Sequence, residues 1–460
     1  MVSGLHPIPL AAPVSDGGLR QPINYIACAL LATVFSWPVG AQTPSTAAEA
    51  VAGTAPGGRV EPDELTLRDA LALALERNPE LGAFSQEVRA AEGAVMQAGV
   101  LPNPVLDLSG DNLRNARKAE AGDRTTTIQI GQLIELGGKR AARIRLAESG
   151  RDLASWDYEA KRLEILSAVA QRMVDVLVGQ SREALAGESV VLSAQVADAV
   201  GKRVLAGKVS PVEETKARLA LASAGIELEQ AKRELAGARK ALGALWGEAN
   251  PSFRKAAGDL EQLAALPGYE ALAERMRSNP ELARWASEIS RRQAGVDAER
   301  AKAIPDVTVS AGVTRFSEFD DRAYMVGISI PIPVFDRNRG GIMEANRRLD
   351  KASDERRAVE ARLSVDLAQS YQRLAAVGAE IQTLRTTLLP DAQSAYEAVT
   401  KGYQLGKFGF LDVLDAQRTL FQTRSQHLRA LADYQRGVAD IERLIGGPLE
   451  APAPKGMNRE

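Results

Sequence analysis

The sequence contains the same pattern twice, and this internal repeat limits the possible folds more than any other feature. Asn78-Pro79-Glu80-Leu81 returns as Asn279-Pro280-Glu281-Leu282, an offset of 279 − 78 = 201 residues. Near the end of each copy, Gly207-Lys208 matches Gly406-Lys407 at an offset of 406 − 207 = 199 residues. Solenoid repeats have periods of about 20 to 50 residues. A period this long predicts two whole structural halves with the same elements in the same order. The halves would be related by a pseudo-symmetry axis, and a pore along such an axis is one natural use.

Composition argues against several classes of protein. The chain has 57 basic and 59 acidic residues among 460, so no basic excess favours nucleic acid as a partner. Aromatic residues make up only 5 %, which favours long helices packed through small side chains. No nucleophile–base pair, phosphate-binding loop or metal cluster is recognisable, so we expect neither an enzyme nor a cofactor. His427 is expected to be an ordinary helix-surface residue without a metal role.

The amino-terminal segment predicts export from the cytoplasm. Arg20 precedes an apolar run over residues 23–37, and Val39-Gly40-Ala41 fits a small-residue cleavage site. A transmembrane helix needs ~20 apolar residues, so a signal peptide over residues 1–41 is favoured over a membrane anchor. Beyond this segment no apolar run approaches that length, so any passage through a membrane would have to be made by strands.

Two pairs of segments alternate apolar and polar residues with the period of a β-strand. Ile128 and Ile130 share one face in the first pair, and Val326 and Ile328 do so in the second. Each strand is expected to span roughly 9–11 residues, the length that crosses a bilayer at a tilt. A charged, exposed loop is expected over residues 112–124. The strand segments are 105–109, 125–134, 306–314 and 324–330.

A long helical segment follows each predicted hairpin. No proline occurs from Lys139 to about Leu205, which predicts a helix of ~100 Å. The counterpart runs from Gly341 to Gln404, interrupted by Gly378, Pro390 and Gly402. The glycine-lysine turns then lead into shorter helices over 211–246 and 410–445. In the second long segment, apolar residues recur every seven positions and predict a coiled-coil seam. These residues are Leu367, Leu374, Ile381 and Leu388.

The repeat also sets the expected boundaries along the chain. Each half should contain a helix, a β-hairpin, a long helix and a shorter helix, with the first helix interrupted at the Asn-Pro motif. The expected segments are a flexible leader over 42–64, a first repeat over 65–250, a linker over 251–268, a second repeat over 269–447 and a tail over 448–460.

Four strands in one chain are too few to close a sheet within lipid. Unpaired peptide groups along a sheet edge in hydrocarbon would each cost on the order of several kcal/mol. Bacterial barrels start at about eight strands, so closure requires several copies of the chain. Two copies would give eight strands and three would give twelve. The sequence pattern leaves open a soluble sheet that caps a helical bundle.

Motifs follow both predicted hairpins, and a further motif runs from Gly406 to Gln417. The motif residues after the hairpins are Gly137, Gly138, Lys139 and Arg140, and then Pro331, Pro333, Arg337, Asn338 and Gly340. With these motifs in duplicate order, the chain resembles the TolC-like outer membrane factors over roughly residues 65 to 447. Within that family it is most similar to the CzcC-like branch, which is associated with heavy-metal and cation efflux.

The resemblance implies a mainly α-helical protein with a membrane β-barrel. In a homotrimer, three four-stranded sheets would form a twelve-stranded barrel in the outer membrane, and the long helices would form an α-barrel through the periplasm. The tip would engage a periplasmic adaptor and an inner-membrane pump of the RND type. The chain would then be a passive exit duct for heavy-metal or other cations. Multidrug efflux and type I protein secretion are the alternatives, and a periplasmic adaptor is a less favoured one.

The resemblance also marks candidate residues near the tip. Asp412 and Asp415 match paired acidic residues at the family's pore constriction, and their spacing places them on one helix face. Their simpler role would be to stabilise a helix amino terminus. Tyr403 matches a tyrosine that helps to hold the tip closed, but Phe408 stands where its arginine partner is expected. The candidate adaptor contacts are Gly207, Lys208, Gly406 and Lys407.

Overall fold

A computed structural model of the chain describes residues 63–111, 124–316 and 321–449. The predicted signal peptide, the leader as far as residue 62 and most of the charged loop after the first strand lie outside these ranges. The predicted tail lies outside them from residue 450 onward.

The two halves contain the same elements in the same order, as the repeat predicts. The first half comprises β1 (Glu64–Thr66), α1 (Leu67–Arg77), α2 (Pro79–Ala98), β2 (Val105–Asp111), β3 (Thr125–Ile134), α3 (Lys139–Leu205) and α4 (Pro211–Gly243). After β4 (Lys255–Ala257), the second comprises α5 (Tyr269–Met276), α6 (Pro280–Lys302), β5 (Val307–Phe316), β6 (Asp321–Ser329), α7 (Arg339–Thr383), α8 (Leu389–Gln404) and α9 (Phe410–Ile445).

The repeated Asn-Pro motif ties the beginning of each half to its end. The side-chain oxygen of Asn78 caps α2 by accepting a backbone N–H at 2.9 Å, and Pro79 occupies the first turn, where no N–H is needed. The Asn78 amide nitrogen donates to the carbonyl of Leu245 at 2.7 Å. Asn279 caps α6 in the same way and donates to the carbonyl of Leu444 at 2.8 Å. Both asparagines are buried, so the motif combines a helix cap with a long-range tie.

A four-stranded antiparallel sheet joins the two halves in the order β2-β3-β5-β6. Ile128 of β3 lies opposite Val313 of β5. Ile128 and Ile130 are 51 % and 52 % exposed, whereas Thr127 on the other face makes a hydrogen bond with Thr314 at 2.9 Å. The predicted alternation of the strands is therefore confirmed. Within the described residues, β2 and β6 are the outer strands of this sheet.

One pair of strands was not predicted. β1 and β4 form a parallel pair, with Leu65 opposite Ala256 and both residues buried. Strands of three residues are too short to show a periodic pattern. Glu64, which was assigned to the flexible leader, is therefore the first residue of β1. β2 reaches the end of a described range at Asp111, so its length stays a prediction.

The first long helix is continuous, but the second is not. α3 runs unbroken for 67 residues, whereas a π-helical turn at Leu384–Leu388 separates α7 from α8. Pro390 accounts for the break, because it lacks the N–H that would donate to the carbonyl of Thr386 and its ring crowds that carbonyl. The wider turn rotates the heptad pattern, so Leu388 is 44 % exposed. The other predicted seam residues are buried: Leu367, Leu374 and Ile381.

The long helices pack side by side in the order α4, α3, α9 and then α7 with α8. The halves meet where α3 packs along α9, and ion pairs cross this seam. Glu188 binds Arg424 at 2.8 Å, and Asp175 binds Arg436 at 2.7 Å. Among the described residues, α4 packs extensively against α3 and against no other long helix. One face of α4 is therefore uncovered in the single chain.

The largest hydrophobic clusters lie where the first helix of each half packs against the long helices. One cluster surrounds Leu65 and Val169, and the other surrounds Leu272 and Leu444. Both lie far along the helices from the glycine-lysine turns, which pack around a smaller cluster of their own. Among the described residues, no helix is both long enough and apolar enough to span a bilayer.

Candidate functional site at the helical tips

Each helical hairpin ends in a glycine-lysine turn of the same geometry. Gly207 and Gly406 have φ angles of 68° and 76°, in the left-handed region that favours glycine. The N–H of Lys208 donates to the carbonyl five residues earlier at 2.9 Å, and Lys407 makes the same hydrogen bond at 2.8 Å. All four residues are exposed. Backbone reversal explains the two glycines, and exposure leaves the turns accessible to a partner.

An arginine from the first half holds the tyrosine of the second. The guanidinium carbon of Arg203 lies 4.3 Å from the centroid of the Tyr403 ring, which is a close cation–π contact. The same guanidinium donates to the Tyr403 carbonyl at 3.1 Å. Tyr403 is buried against Val200, Phe410 and Val413. Arg203 therefore connects α3 to the end of α8 beside both turns.

Sequence reasoning missed Arg203 because it sought the partner of Tyr403 on the same half. Phe408, which occupies the expected position, packs instead against Gly402, where any Cβ would collide with its ring. The internal repeat did contain a signal for Arg203. At the offset of 199 residues, Arg203 corresponds to Gly402 (203 + 199 = 402), which is the neighbour of Tyr403. The duplication thus places the arginine and the tyrosine at the same level of the two hairpins.

Asp412 belongs to the start of α9 and stabilises it. Its Oδ2 accepts a hydrogen bond from the backbone N–H of Gly409 at 2.8 Å. This N–H is one of the donors at the helix amino terminus that would otherwise have no partner. Asp415 lies one turn further on. Both side chains are exposed and line a cleft of about 340 Å³ between α8 and α9. The fold brings the two carboxylates together near the tip, while their place around a pore axis stays a prediction.

The motifs after the hairpins brace the junctions between the sheet and the long helices. Gly138 and Asn338 precede α3 and α7 at equivalent positions, and both have positive φ, 71° and 53°. The Asn338 amide donates to the backbone carbonyl of Glu299 at 2.8 Å and to its carboxylate at 2.7 Å. Chiefly because this hydrogen bond favours the charged carboxylate, the pKa of Glu299 lies below its ordinary value.

Other members of these motifs make similar local contacts. Lys139 forms an ion pair with Asp306 at 2.7 Å, and Arg140 donates to the carbonyl of Gly99 at 2.8 Å. Arg337 donates to the carbonyl of Pro333 at 3.1 Å. The remaining members lie at the same two junctions, and they are Gly137, Pro331 and Gly340. These residues position the hairpins on the helices, away from the tips.

His427 is buried, so the prediction of a helix-surface residue was wrong. It is 9 % exposed, because a strap over residues 255–264 crosses α9 and covers it. The carboxylate of Glu261 lies 3.8 Å from its Nδ1. The Tyr434 hydroxyl fastens the strap by donating to the carbonyl of Ala264 at 2.6 Å. The strap comes from the linker between the halves, so the sequence around the histidine gave no sign of it.

Comparison with known proteins identifies the family. The family model described as outer membrane efflux protein matches this chain twice, over residues 70–248 and 271–447. The chain belongs to the outer membrane efflux protein family. The two matched segments follow the internal duplication, since each contains one hairpin and one long helix. As a member of this family, the protein resides in the outer membrane and extends into the periplasm.

Metal-resistance proteins are among the relatives of this efflux protein. It is 42 % identical to the cobalt-zinc-cadmium resistance protein CzcC of Cupriavidus metallidurans, over 83 % of this chain and 90 % of the relative. It is 28 % identical to the nickel-cobalt-cadmium resistance protein NccC of Alcaligenes xylosoxydans xylosoxydans, over 65 % of this chain and 67 % of the relative.

Solved channels share the fold of this efflux protein. A CusC structure has a TM-score of 0.71 at 19 % identity and covers 83 % of this chain and 92 % of that one. The outer membrane protein VceC of Vibrio cholerae has a TM-score of 0.69 at 21 % identity, with coverage of 84 % and 97 %. The predicted fold class is therefore confirmed as TolC-like, mainly α-helical with four β-strands in the principal sheet of each chain.

Proposed function

We propose that this efflux protein is the passive exit duct of a tripartite system that exports heavy-metal or other cations. The assignment of a cation cargo rests on the 42 % identity to a cobalt-zinc-cadmium resistance protein along 83 % of this chain. Two further relatives are named for nickel, cobalt or cadmium resistance. The duct catalyses no reaction. An inner-membrane pump of the RND type supplies the driving force, and a periplasmic adaptor connects that pump to the duct.

The duct works as a homotrimer in the outer membrane. In one chain, β2 and β6 each present an outer edge among the described residues, and bare edges are unfavourable in hydrocarbon. Three copies pair these edges and close a barrel of twelve strands, whose apolar outer face includes the exposed Ile128 and Ile130. The solved channels of the same fold support this arrangement.

The tips of the helical hairpins form the periplasmic entrance. In the trimer, Asp412 and Asp415 provide six carboxylates around the constriction, which attract cations and repel anions. Arg203 and Tyr403 hold the neighbouring hairpins together. The adaptor contacts the exposed turns at Gly207-Lys208 and Gly406-Lys407. The exposure of the two carboxylates and of the turns supports their roles, and the contact of Arg203 with Tyr403 supports the role of this pair.

Deleting the gene that encodes this protein in its source organism tests which cargo the duct exports. The expected result is a fall of several-fold in the concentrations of cobalt, zinc and cadmium salts that permit growth, with resistance restored by the wild-type chain. Organic antibiotics serve as the matched control and should act on both strains equally. Unchanged metal tolerance together with new sensitivity to organic compounds would instead support the multidrug alternative. Organic cargoes are named for two relatives, a pyoverdine export protein of Pseudomonas aeruginosa at 25 % identity and a toluene efflux protein of Pseudomonas putida at 21 % identity.

A further inference from the structure

The strap over residues 255–264 fastens the two halves to each other along the seam where α3 packs against α9. On the α3 side, the amide of Gln180 donates to the carbonyl of Ala256 at 3.1 Å and accepts its N–H at 2.7 Å. On the α9 side, the amide of Gln435 donates to the carbonyl of Gln262 at 2.9 Å. The strap therefore connects a helix of the first half to a helix of the second.

These attachments do not respond to pH near neutrality. Gln180 and Gln435 carry neutral amides, which neither gain nor lose a proton in this range. Burial raises the pKa of the Tyr434 phenol, so its hydroxyl stays protonated and continues to donate to the strap. A pH-dependent contribution to the strap must therefore come from another contact.

His427 of α9 lies beneath the strap in a position that suits a charged ring better than a neutral one. Its Nε2 is buried and has no hydrogen-bond partner among the described residues. Its Nδ1 lies 3.8 Å from the carboxylate of Glu261 on the strap, which is too long for a hydrogen bond. The Glu261 side chain is half exposed, so it can close the remaining distance of about 1 Å to a charge-assisted hydrogen bond once the ring is protonated.

Two other basic side chains face the cavity of about 450 Å³ beneath the strap, and each has its own partner. Lys255 of β4 pairs with Glu64 of β1 at 3.5 Å. Arg424 of α9 pairs with Glu188 of α3 at 2.8 Å. Among the residues that the structure describes around this cavity, His427 is therefore the base left for the carboxylates of the strap.

The strap places two carboxylates over the imidazole, and α3 adds no charge of its own to the lining. Glu261 is the nearer carboxylate, and Asp259 accepts the backbone N–H of Glu261 at 2.9 Å from the same turn. Burial of His427 opposes a charge on the ring, whereas negative charge on the strap favours it. The half-exposed Glu261 stays ionised and supplies the partner that a buried imidazolium needs. The lining residues of α3 are Leu177, Gln180, Ser181 and Leu185.

We propose that His427 and Glu261 form a proton-operated clamp, which tightens the strap across the α3–α9 seam in mild acid and releases it as the pH rises. Histidine ordinarily changes its charge between about pH 5 and 8, so the contact is present at the acid end of this range and lost through it. Carboxylates ordinarily protonate near pH ~4.3, so stronger acid removes the contact again.

The clamp lies within one chain and does not depend on the cargo or on the number of copies. Its consequence for the entrance rests on the proposed function. His427 lies 427 − 410 = 17 residues from the start of α9 at Phe410, which is ~25 Å along the helix. A firmer seam at this level restrains the hairpins whose ends form the entrance.

Hydrogen–deuterium exchange of the full-length protein in detergent tests the clamp. After correction for the intrinsic pH dependence of exchange, amides of the strap should exchange about three- to tenfold more slowly at pH 5.5 than at pH 7.5. This difference should vanish in His427→Gln and in Glu261→Gln. Glu64→Gln is the matched control, because it neutralises a carboxylate of the same cavity that pairs with Lys255, and it should keep the difference.

Thermal melting of the two single variants and the double variant provides a second measurement. The effects of His427→Gln and Glu261→Gln should add at pH 8 and should fail to add at pH 5.5, where the pair exists. A strap that exchanges equally at both pH values, or faster in acid, would overturn the proposal. A pH dependence that persists in Glu261→Gln would also overturn it, and this half-exposed position decides the matter even where His427→Gln does not fold. Metal tolerance enters neither measurement, so an error in the cargo and an error in the clamp give different results.

Discussion

Arg203 stacks on the ring of Tyr403 at 4.3 Å and also binds its carbonyl at 3.1 Å, across the boundary between the two halves. The phenol hydroxyl itself is buried without a hydrogen-bond partner among the described residues. The tyrosine is therefore held through its ring and its backbone rather than through its hydroxyl. This geometry makes separable predictions for the two residues.

Replacing Arg203 by alanine should loosen the tip. The contact is of a kind that contributes ~0.5–2 kcal/mol, so conductance through the resting pore should rise by about two- to thirtyfold. Single-channel recording in planar bilayers measures this directly. Tyr403→Phe is the matched control and should conduct like wild type, because the ring and the carbonyl remain. Equal conductance of Arg203→Ala and wild type would show that the contact does not restrain the tip.

The structural and electrostatic roles of Asp412 can be separated by two substitutions. Asp412→Ala removes the cap of α9 and should destabilise the protein by ~1 kcal/mol. Asp412→Asn keeps an oxygen that can accept the Gly409 N–H, so stability should be retained while the charge is lost. Combined with Asp415→Asn, it should lower the preference of the pore for cations, measured as a reversal potential in a salt gradient. An unchanged reversal potential would remove both carboxylates from the ion path.

Asn279 should be among the most sensitive polar residues outside the tip. Asn279→Ala loses a helix cap and leaves the carbonyls of Arg443 and Leu444 without its amide, at a cost of about 2–3 kcal/mol. Asn279→Ser keeps a capping oxygen and loses the amide donor without adding a charge, so it should melt between the two. Thermal melting followed by circular dichroism ranks the three proteins. A melting temperature for Asn279→Ala equal to that of wild type would show that the hydrogen bonds of Asn279 to the end of α9 do not stabilise the fold.

The contact of Asn338 with Glu299 should stabilise the protein in a pH-dependent way. Because the pKa of Glu299 is lowered in the folded state, the contribution is fully present above the ordinary carboxylate pKa of about 4.3. It is lost as the pH falls through the lower folded value. Asn338→Gly removes the amide and accommodates the positive φ of 53°. The stability difference between wild type and this variant should shrink on acidification, and a difference that grows in acid would contradict the assignment.

Elements governed by local sequence were predictable from the chain alone. α3 and α9 begin and end where the absence of proline and the glycine turns placed them. What the sequence could not show depends on contacts between distant segments. β1 and β4 gain their hydrogen bonds from each other, although they lie 191 residues apart (255 − 64 = 191). The Arg203 contact and the burial of His427 likewise require a partner from elsewhere in the chain.

The position of Leu388 shows the limit of reading periodicity. Its heptad spacing from Ile381 is real, but Pro390 removes a backbone donor and widens the preceding turn. A pattern of apolar residues assumes a constant helical twist, and the π-helical turn changes that twist within a single turn. The sequence contained both signals, and only the folded helix determines which one sets the direction of the side chain.

The asparagine ties bear on how a chain of this kind arose. Asn78 and Asn279 each bring the entry of a structural unit beside its exit, so an ancestral single-unit polypeptide would have had neighbouring termini. A gene encoding such a unit can be copied in tandem and joined by a short connection without remodelling either copy. Later divergence could then change equivalent positions independently. Arg424 of the second half makes an ion pair with Glu188, whereas the corresponding position of the first half is Gly225 (424 − 199 = 225).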